Sequence, residues 1–272
     1  MNKQPIWEKS RYDIQKSVYG DFRMPRVFLI LALVTCSVFG WMFYQYSVQH
    51  NELSQLKNYQ TVLYEKAELI YEQAQDWSKP IDVNVTDQRL EGDYKIMAEF
   101  VLGDMIQNAE ERNQYLRELK AIHWDKFLNI ERLDQDRKQQ YRDTEKMLQQ
   151  AHLLAAQYQQ KIQQDEENAL ARAKNLDIKS RFRHQLADSL RENRNNDKTH
   201  ALFALELQML AKADALFEIL KKNKWEKKNQ TFMFYEDQPL KQFNAVYQEI
   251  LQLNAEMEKI KKQNRKAIEQ RL

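Results

Sequence analysis

The feature that most constrains this chain is an apolar stretch at residues 27 to 48, VFLILALVTCSVFGWMFYQYSV, which contains no charged side chain. At about 1.5 Å of rise per residue, a helix of this length measures about 33 Å, and the hydrocarbon core of a bilayer is about 30 Å thick. The stretch therefore predicts a transmembrane helix. It divides the chain into a tail at 1 to 26, the span at 27 to 48 and a polar body at 49 to 272.

The charges on the two sides of the span predict its orientation. Residues 1 to 26 contain six Lys and Arg against three Asp and Glu, whereas residues 49 to 76 contain two against five. Lys and Arg that flank a span are retained on the cytoplasmic side. We therefore expect a tail on the cytoplasmic side, a single pass through the membrane, and a body on the outer side.

Two other interpretations of the span stay open. A cleavable secretory signal has a shorter apolar core and a small-residue cleavage site, whereas here the apolar run continues to Tyr46. A lipoprotein signal is approximated by Leu33, Val34, Thr35 and Cys36. However, Thr35 stands where Gly, Ala or Ser is usual, and an apolar segment follows the cysteine. A retained anchor fits this sequence best.

Small residues mark one face of the predicted span. Ala32, Cys36 and Gly40 recur at every fourth position, a pattern that allows two membrane helices to approach closely. We therefore treat these three residues as a candidate helix-helix face, on which a second copy of the chain would pack to form a homodimer. Because Cys36 is the sole cysteine, the body has neither a disulfide nor a cysteine metal ligand.

The composition of the body predicts helices. The whole chain contains only four Gly and four Pro, the residues on which tight turns and strand ends depend. Apolar residues recur every three or four positions, which is typical of amphipathic helices. We predict an all-α fold in which the membrane helix is followed by a bundle of long antiparallel, partly coiled-coil-like helices, with at most one short strand-like segment.

The apolar pattern also predicts individual elements. We expect a first helix that runs from residue 49 to about 74, a loop at 81 to 93 in which Ile81, Val83 and Val85 form an extended segment, and a second helix with a bend near His123. Further along the chain we expect a connection at 191 to 198, a largely buried helix at 201 to 220, a strand-like run at 231 to 235, and a last helix from 240 onward.

Between these segments, a coiled-coil-like seam runs from Tyr141 to Leu176. Thr144 and Asp165 occupy seam positions, where polar side chains weaken a helix pair. We therefore expect a turn at residues 163 to 168 that folds the rod back on itself.

A run of basic residues at 221 to 228, KKNKWEKK, gives a candidate contact patch. Its members are Lys221, Lys222, Lys224, Lys227 and Lys228. Lysines at a helix end complement the helix dipole, and they also suit an acidic partner or an anionic headgroup. Both interpretations remain open from the sequence.

No pattern in the sequence points to catalysis. None of the five histidines follows a Glu by three residues, and the chain has neither a Gly-x-Ser-x-Gly motif nor a phosphate-binding glycine-rich loop. We predict no catalytic, cofactor-binding or metal-ligating residue, no cofactor and no small-molecule substrate. The net charge of only +2 argues against nucleic acid as a partner.

Near the C-terminus, residues 227 to 256, KKNQTFMFYEDQPLKQFNAVYQEILQLNAE, combine a short apolar run with a helix in which Asn244 follows Phe243. This segment resembles the end of an uncharacterised family of small helical lipoproteins from the envelope of Gram-negative bacteria. The resemblance implies an envelope setting and a helical fold, and it supplies no activity. Members of that family carry a true lipobox, from which residues 33 to 36 depart.

These observations predict a non-enzymatic single-pass inner-membrane protein. Its periplasmic helical domain would act as a protein-binding scaffold in envelope biogenesis or division, with other envelope proteins as partners. Four alternatives stay open: an adaptor or inhibitor with a contiguous exposed apolar patch, a chaperone-like binder with a groove lined by Met and aromatic residues, an enzyme with a pocket of convergent ionisable groups, and a lipid-anchored lipoprotein.

Overall fold

The computed structural model describes residues 50 to 195 and 198 to 269. Most of this part of the chain is helical. In chain order the elements are α1 His50–Ala74, α2 Gly92–Ala121, a 3-10 turn Trp124–Lys126, α3 Ile130–Arg137, α4 Arg142–Lys174, α5 Ser180–Asn195, α6 Lys198–Lys222, β1 Trp225–Lys228, β2 Thr231–Phe234 and α7 Asp237–Glu269. The predicted helical body is therefore confirmed.

The predicted tail, the predicted span and the candidate face of Ala32, Cys36 and Gly40 all lie outside the described residues. Within residues 50 to 195 and 198 to 269, no helix combines the length and the apolarity that crossing a bilayer requires. The membrane anchor accordingly stays a prediction.

The expectation of at most one strand-like segment is wrong, because β1 and β2 form an antiparallel hairpin. Trp225 lies opposite Phe234, and Lys228 lies opposite Thr231. An apolar strand needs a partner for its backbone N–H and C=O groups, and the charged residues of β1 provide it. The two turn residues between the strands, at 229 and 230, have φ of 49° and 62°, the left-handed geometry of a two-residue hairpin turn.

The turn expected at residues 163 to 168 is also absent, since α4 runs unbroken from Arg142 to Lys174. The two polar seam residues that suggested a break are buried and hydrogen-bonded. The Thr144 hydroxyl donates to Asp136, and Asp165 accepts hydrogen bonds from Gln107 and Lys161. Because each of the two side chains has a hydrogen-bond partner, these residues are tolerated within the helix.

The bend expected near His123 is confirmed. Helix α2 ends at Ala121, and His123 adopts a left-handed φ of 57° before the 3-10 turn. The predicted long loop is also present, between α1 and α2. Lys66 of α1 donates to the carbonyl oxygens of Asn84 (2.6 Å) and Thr86 (3.2 Å), so the extended chain there is held by a side chain and not by a second strand.

By internal contacts the described chain divides into two compact units. The N-terminal unit contains residues 50 to 117 and Ala156–Phe203, and the hairpin unit contains Glu118–Ala155 and Ala204–Glu258. The core of the N-terminal unit includes the fully buried Tyr59, Met97 and Phe182. The hairpin unit buries large apolar side chains of α3, α6 and β1, namely Leu133, Leu216, Leu220 and Trp225.

Within the N-terminal unit, side-chain contacts show the direction of α2 relative to α4. Asp104, near the middle of α2, pairs with Arg172 near the end of α4 at 2.8 Å. Tyr115, near the end of α2, stacks on Tyr158 with ring centroids 4.6 Å apart. Because the α4 partner number falls as the α2 number rises, the two helices are antiparallel here.

Candidate functional site

The hairpin unit is organised around Trp225, the first residue of β1, whose side chain is only 1% exposed. Its indole N–H lies 2.8 Å from the Tyr141 hydroxyl and 3.1 Å from the Leu220 carbonyl oxygen. The Arg137 guanidinium lies over the ring at 4.5 Å and donates to the Trp225 carbonyl oxygen. A buried indole with a bonded N–H and a stacked cation is a rigid anchor for the strand.

The same residues complete the end of α6, whose last carbonyl groups have no partner within the helix. The Leu220 carbonyl oxygen accepts from the Tyr141 hydroxyl at 3.1 Å, and the Ile219 carbonyl oxygen accepts from the Asn223 amide at 2.8 Å. Burial raises the pKa of Tyr141, which keeps its hydroxyl protonated as a donor. The chain therefore leaves α6 and enters β1 over a fixed path.

Beside this anchor lies a shallow cleft of about 510 Å³. Its lining residues are Arg137, Tyr141, Lys221, Asn223, Lys224, Trp225 and Tyr235. Each of these side chains carries a hydrogen-bond donor, and three carry a positive charge, whereas no lining residue is a carboxylate. Such a lining suits an anionic group, and a carboxylate is the commonest anionic group on protein surfaces.

The structure divides the five lysines of the predicted contact patch into two sets. Lys221 pairs with Glu145, Lys222 pairs with Glu218 at 2.8 Å, and Lys227 approaches Glu131 at 3.4 Å. These three lysines are therefore paired within the chain. Lys224 and Lys228 form no ion pair with the described residues.

An apolar surface adjoins the two remaining lysines. On β2 and just after it, Met233 is 43% exposed and Tyr235 is 68% exposed. The alternate strand residues Phe232 and Phe234 turn the other way and pack against Phe243 of α7, with ring centroids 5.3 and 5.6 Å apart. The hairpin is thereby fixed on one face and presents Met233 and Tyr235 on the other. We call Lys224, Lys228, Met233 and Tyr235 the hairpin surface.

A second polar cluster, in the N-terminal unit, was not singled out from the sequence. It joins Asp104 and Glu111 of α2 to Lys161, Asp165 and Arg172 of α4. Burial is the main cause that raises the pKa of Asp104 to about 6 and that of Glu111 to about 7. The signal available in the sequence was Asp165 itself, a carboxylate at an apolar seam position.

Two of the described histidines each pair with one carboxylate. His152 lies 2.7 Å from Asp214, and His200 hydrogen-bonds to Glu166. Across the described ranges, no group of three or more His, Cys, Asp and Glu side chains has an arrangement that would hold a metal ion.

Comparison with known proteins adds no identification. The chain matches no family model, no curated protein and no solved structure. The resemblance of its C-terminal segment to envelope lipoproteins therefore remains an expectation from the sequence.

Proposed function

We propose that this chain is a non-enzymatic, single-pass inner-membrane scaffold whose periplasmic helical body binds an envelope protein through the hairpin surface. The partner segment would carry acidic side chains next to apolar ones. The span at 27 to 48 would hold this surface at a fixed position relative to the membrane. Envelope biogenesis or division is the process in which such a tethered scaffold would act.

The observation that carries this proposal is the pairing of exposed apolar side chains with unpaired cations on a rigid base. Tyr and Met are enriched in protein interfaces, and a large exposed aromatic is unusual on a surface with no partner. Lys224 and Lys228 have no acidic partner among the described residues, so an acidic segment would be attracted without first breaking an internal ion pair. The anchor at Trp225 limits the entropy lost on binding.

Binding of one specific segment is favoured over a chaperone-like activity by the distribution of exposed apolar residues. Within the described ranges the large exposed hydrophobics are Leu53, Leu69, Leu153, Met233, Tyr235 and Leu240. The first three are isolated in sequence, whereas the last three fall within eight positions at the hairpin and the start of α7. A small local patch with charged neighbours suits one specific segment better than many unfolded chains.

Site-specific photo-cross-linking in intact membranes tests the proposal. A photoreactive residue replaces Tyr235 in the full-length chain, and Leu153, which is 57% exposed in the same unit, serves as the control position. We expect a defined adduct with an envelope protein at 235 and none at 153. An equal adduct pattern at both positions would contradict a site at the hairpin.

Reversing the charges of the hairpin surface tests whether its lysines contribute to binding of the partner. The double variant Lys224→Glu with Lys228→Glu should lower the adduct yield at 235 about tenfold, which corresponds to about 1.4 kcal/mol. The matched control is Lys146→Glu, an exposed lysine on α4 in the same unit, which should leave the yield unchanged. If the adduct contains two copies of this chain, the partner at the hairpin surface is a second copy and not another envelope protein.

A further inference from the structure

The N-terminal unit contains a carboxylate pair that the proposed function does not use. Gln107 donates to Glu111 Oε1 and to Asp165 Oδ1, at 3.0 Å in both cases. Lys161 Nζ lies 3.3 Å from the same Glu111 oxygen and 3.1 Å from the same Asp165 oxygen. One amide and one ammonium thus bridge two carboxylates of different helices, and the two carboxylate oxygens are held within two hydrogen-bond lengths of each other.

One oxygen of this pair has no donor. Asp165 is 4% exposed, and its second oxygen, Oδ2, is buried without a hydrogen-bond partner among the described residues. A buried carboxylate oxygen without a donor costs free energy, more than a neutral acceptor would. Gln107 and Lys161 already serve the other oxygen, so the donor has to come from another neighbour. Glu111, whose carboxyl hydrogen-bonds with Asp165 when it carries a proton, can provide that donor.

The charges around the pair favour that proton. The charged groups of α2 and α4 that face one another here are three carboxylates, Asp104, Glu111 and Asp165, and three cations, Lys161, Arg172 and Arg112, the last of which lies over the Tyr158 ring of α4 at 5.5 Å. Next to Asp165, Glu166 is bonded to His200 of α6. Glu111 and Asp165 share Lys161 as their ion-pair partner among the described residues, so with both carboxylates ionised the pair has one negative charge in excess in a largely buried place, which one proton neutralises.

We propose that Glu111 and Asp165 share one proton in the native state, and that this proton tightens the pairing of α2 with α4 in mildly acidic solution and loosens it above neutral pH. The shared proton provides the donor that Asp165 Oδ2 otherwise lacks. The shared proton does not involve the hairpin surface, so a test of the shared proton does not test the proposed function.

The sign of the pH dependence follows from linkage. Burial, together with hydrogen bonding to Asp165, raises the pKa of Glu111 to about 7 from its ordinary value of 4.5. A carboxyl whose pKa is higher in the folded state binds more protons there than in the unfolded chain. The free energy of unfolding should therefore rise as the pH falls through about 7, with the full gain reached near 4.5. Ion pairs between fully ionised groups would give the opposite trend.

The direct test is a titration of Glu111 by the ¹³C chemical shift of its side-chain carboxyl, in the full-length chain in detergent micelles. The signal is assigned by its loss in the variant Glu111→Gln. We expect a midpoint near 7, and in the variant Asp165→Asn, whose amide supplies a donor, a midpoint shifted down toward 4.5. A wild-type midpoint near 4.5 would overturn the shared proton.

Thermal unfolding supplies a second readout on the same protein. The melting midpoint of the wild-type chain should rise as the pH is lowered from 8 to 6.5, and Glu111→Gln should remove that rise. The matched control is Glu167→Gln, an exposed carboxylate on α4 close to Asp165, which should keep the wild-type profile. Identical pH profiles for wild type and Glu111→Gln would count against the proposal even if the titration were ambiguous.

Discussion

At the scale of single residues, two asparagines of α2, one partly buried and one fully buried, differ in whether their amides have hydrogen-bond partners. The amide of Asn108 donates to Asp104 at 3.2 Å, so its polar group is used. Asn113 is 0% exposed, and neither its amide nitrogen nor its amide oxygen has a hydrogen-bond partner among the described residues. A buried polar group without a partner costs about 1 to 3 kcal/mol.

Replacing Asn113 by leucine should therefore stabilise the protein. Asn113→Leu keeps a side chain of similar size and removes both unpaired atoms, so we expect the melting midpoint to rise by about 2 to 4 °C, or about 1 kcal/mol. Asn108→Leu on the same helix is the control and should lower the midpoint, because it removes a donor from Asp104. Circular dichroism melts of the detergent-solubilised chain measure both. A lower midpoint for Asn113→Leu would mean that its amide is used in the native protein.

At the scale of elements, α4 begins in an unusual way. The residues just before it, Gln140 and Tyr141, have φ of 59° and 62°, so no residue there has the extended backbone of an ordinary N-cap. The cap comes from α3 instead. The side chain of Asp136 accepts from the backbone N–H groups of Asp143 (3.1 Å) and Thr144 (2.7 Å), and from the Thr144 hydroxyl (2.6 Å).

Removing this cap should weaken the start of α4. Asp136 is 3% exposed, so Asp136→Ala leaves buried N–H groups without an acceptor, and we expect a loss of about 2 to 3 kcal/mol in the free energy of unfolding. Asp143→Ala, an exposed acidic residue in the first turn of the same helix, should cost below about 1 kcal/mol. Thermal melts compare the two, and faster hydrogen exchange at the amides of 143 and 144 should accompany Asp136→Ala alone. Equal losses in the two variants would mean that Asp136 is not the cap.

At the scale of the whole molecule, the placement of the body depends on the span at 27 to 48 and on the charges that flank it. The residues that the structure describes contain no helix long and apolar enough to cross a bilayer. The hairpin surface and the shared proton are properties of the body. Its compartment is a prediction from the sequence.

A reporter fused to the C-terminus of the full-length chain tests that placement. We expect activity of a reporter that works only in the periplasm, such as alkaline phosphatase, because the basic tail is retained inside. The variant Arg23→Glu with Arg26→Glu leaves four basic against five acidic residues in the tail and should lower that activity by placing part of the population the other way. Recovery of the intact fusion in the soluble fraction would show that the span does not anchor the chain.

Much of the fold could be predicted from the sequence, because helices are encoded locally. Apolar residues at spacings of three and four predicted α1, α2, α6 and α7, and the scarcity of Gly and Pro predicted their length. The apolar run at 231 to 235 predicted β2, whereas its partner β1 was missed, because four residues with three charges have no strand signal of their own. These four residues form a strand because they pair with the adjacent β2.

The candidate site shows the same limit. The basic run was visible in the sequence, but the sequence did not separate the lysines that pair within the chain from Lys224 and Lys228. Asp165 suggested a break in α4. Instead, its side chain accepts a hydrogen bond from Gln107, which lies 58 residues away in the chain. A helix turn repeats within four residues and is determined by the sequence alone. The partner of a buried charge lies on another segment, and only the tertiary structure decides whether that charge breaks the helix, pairs, or holds a proton.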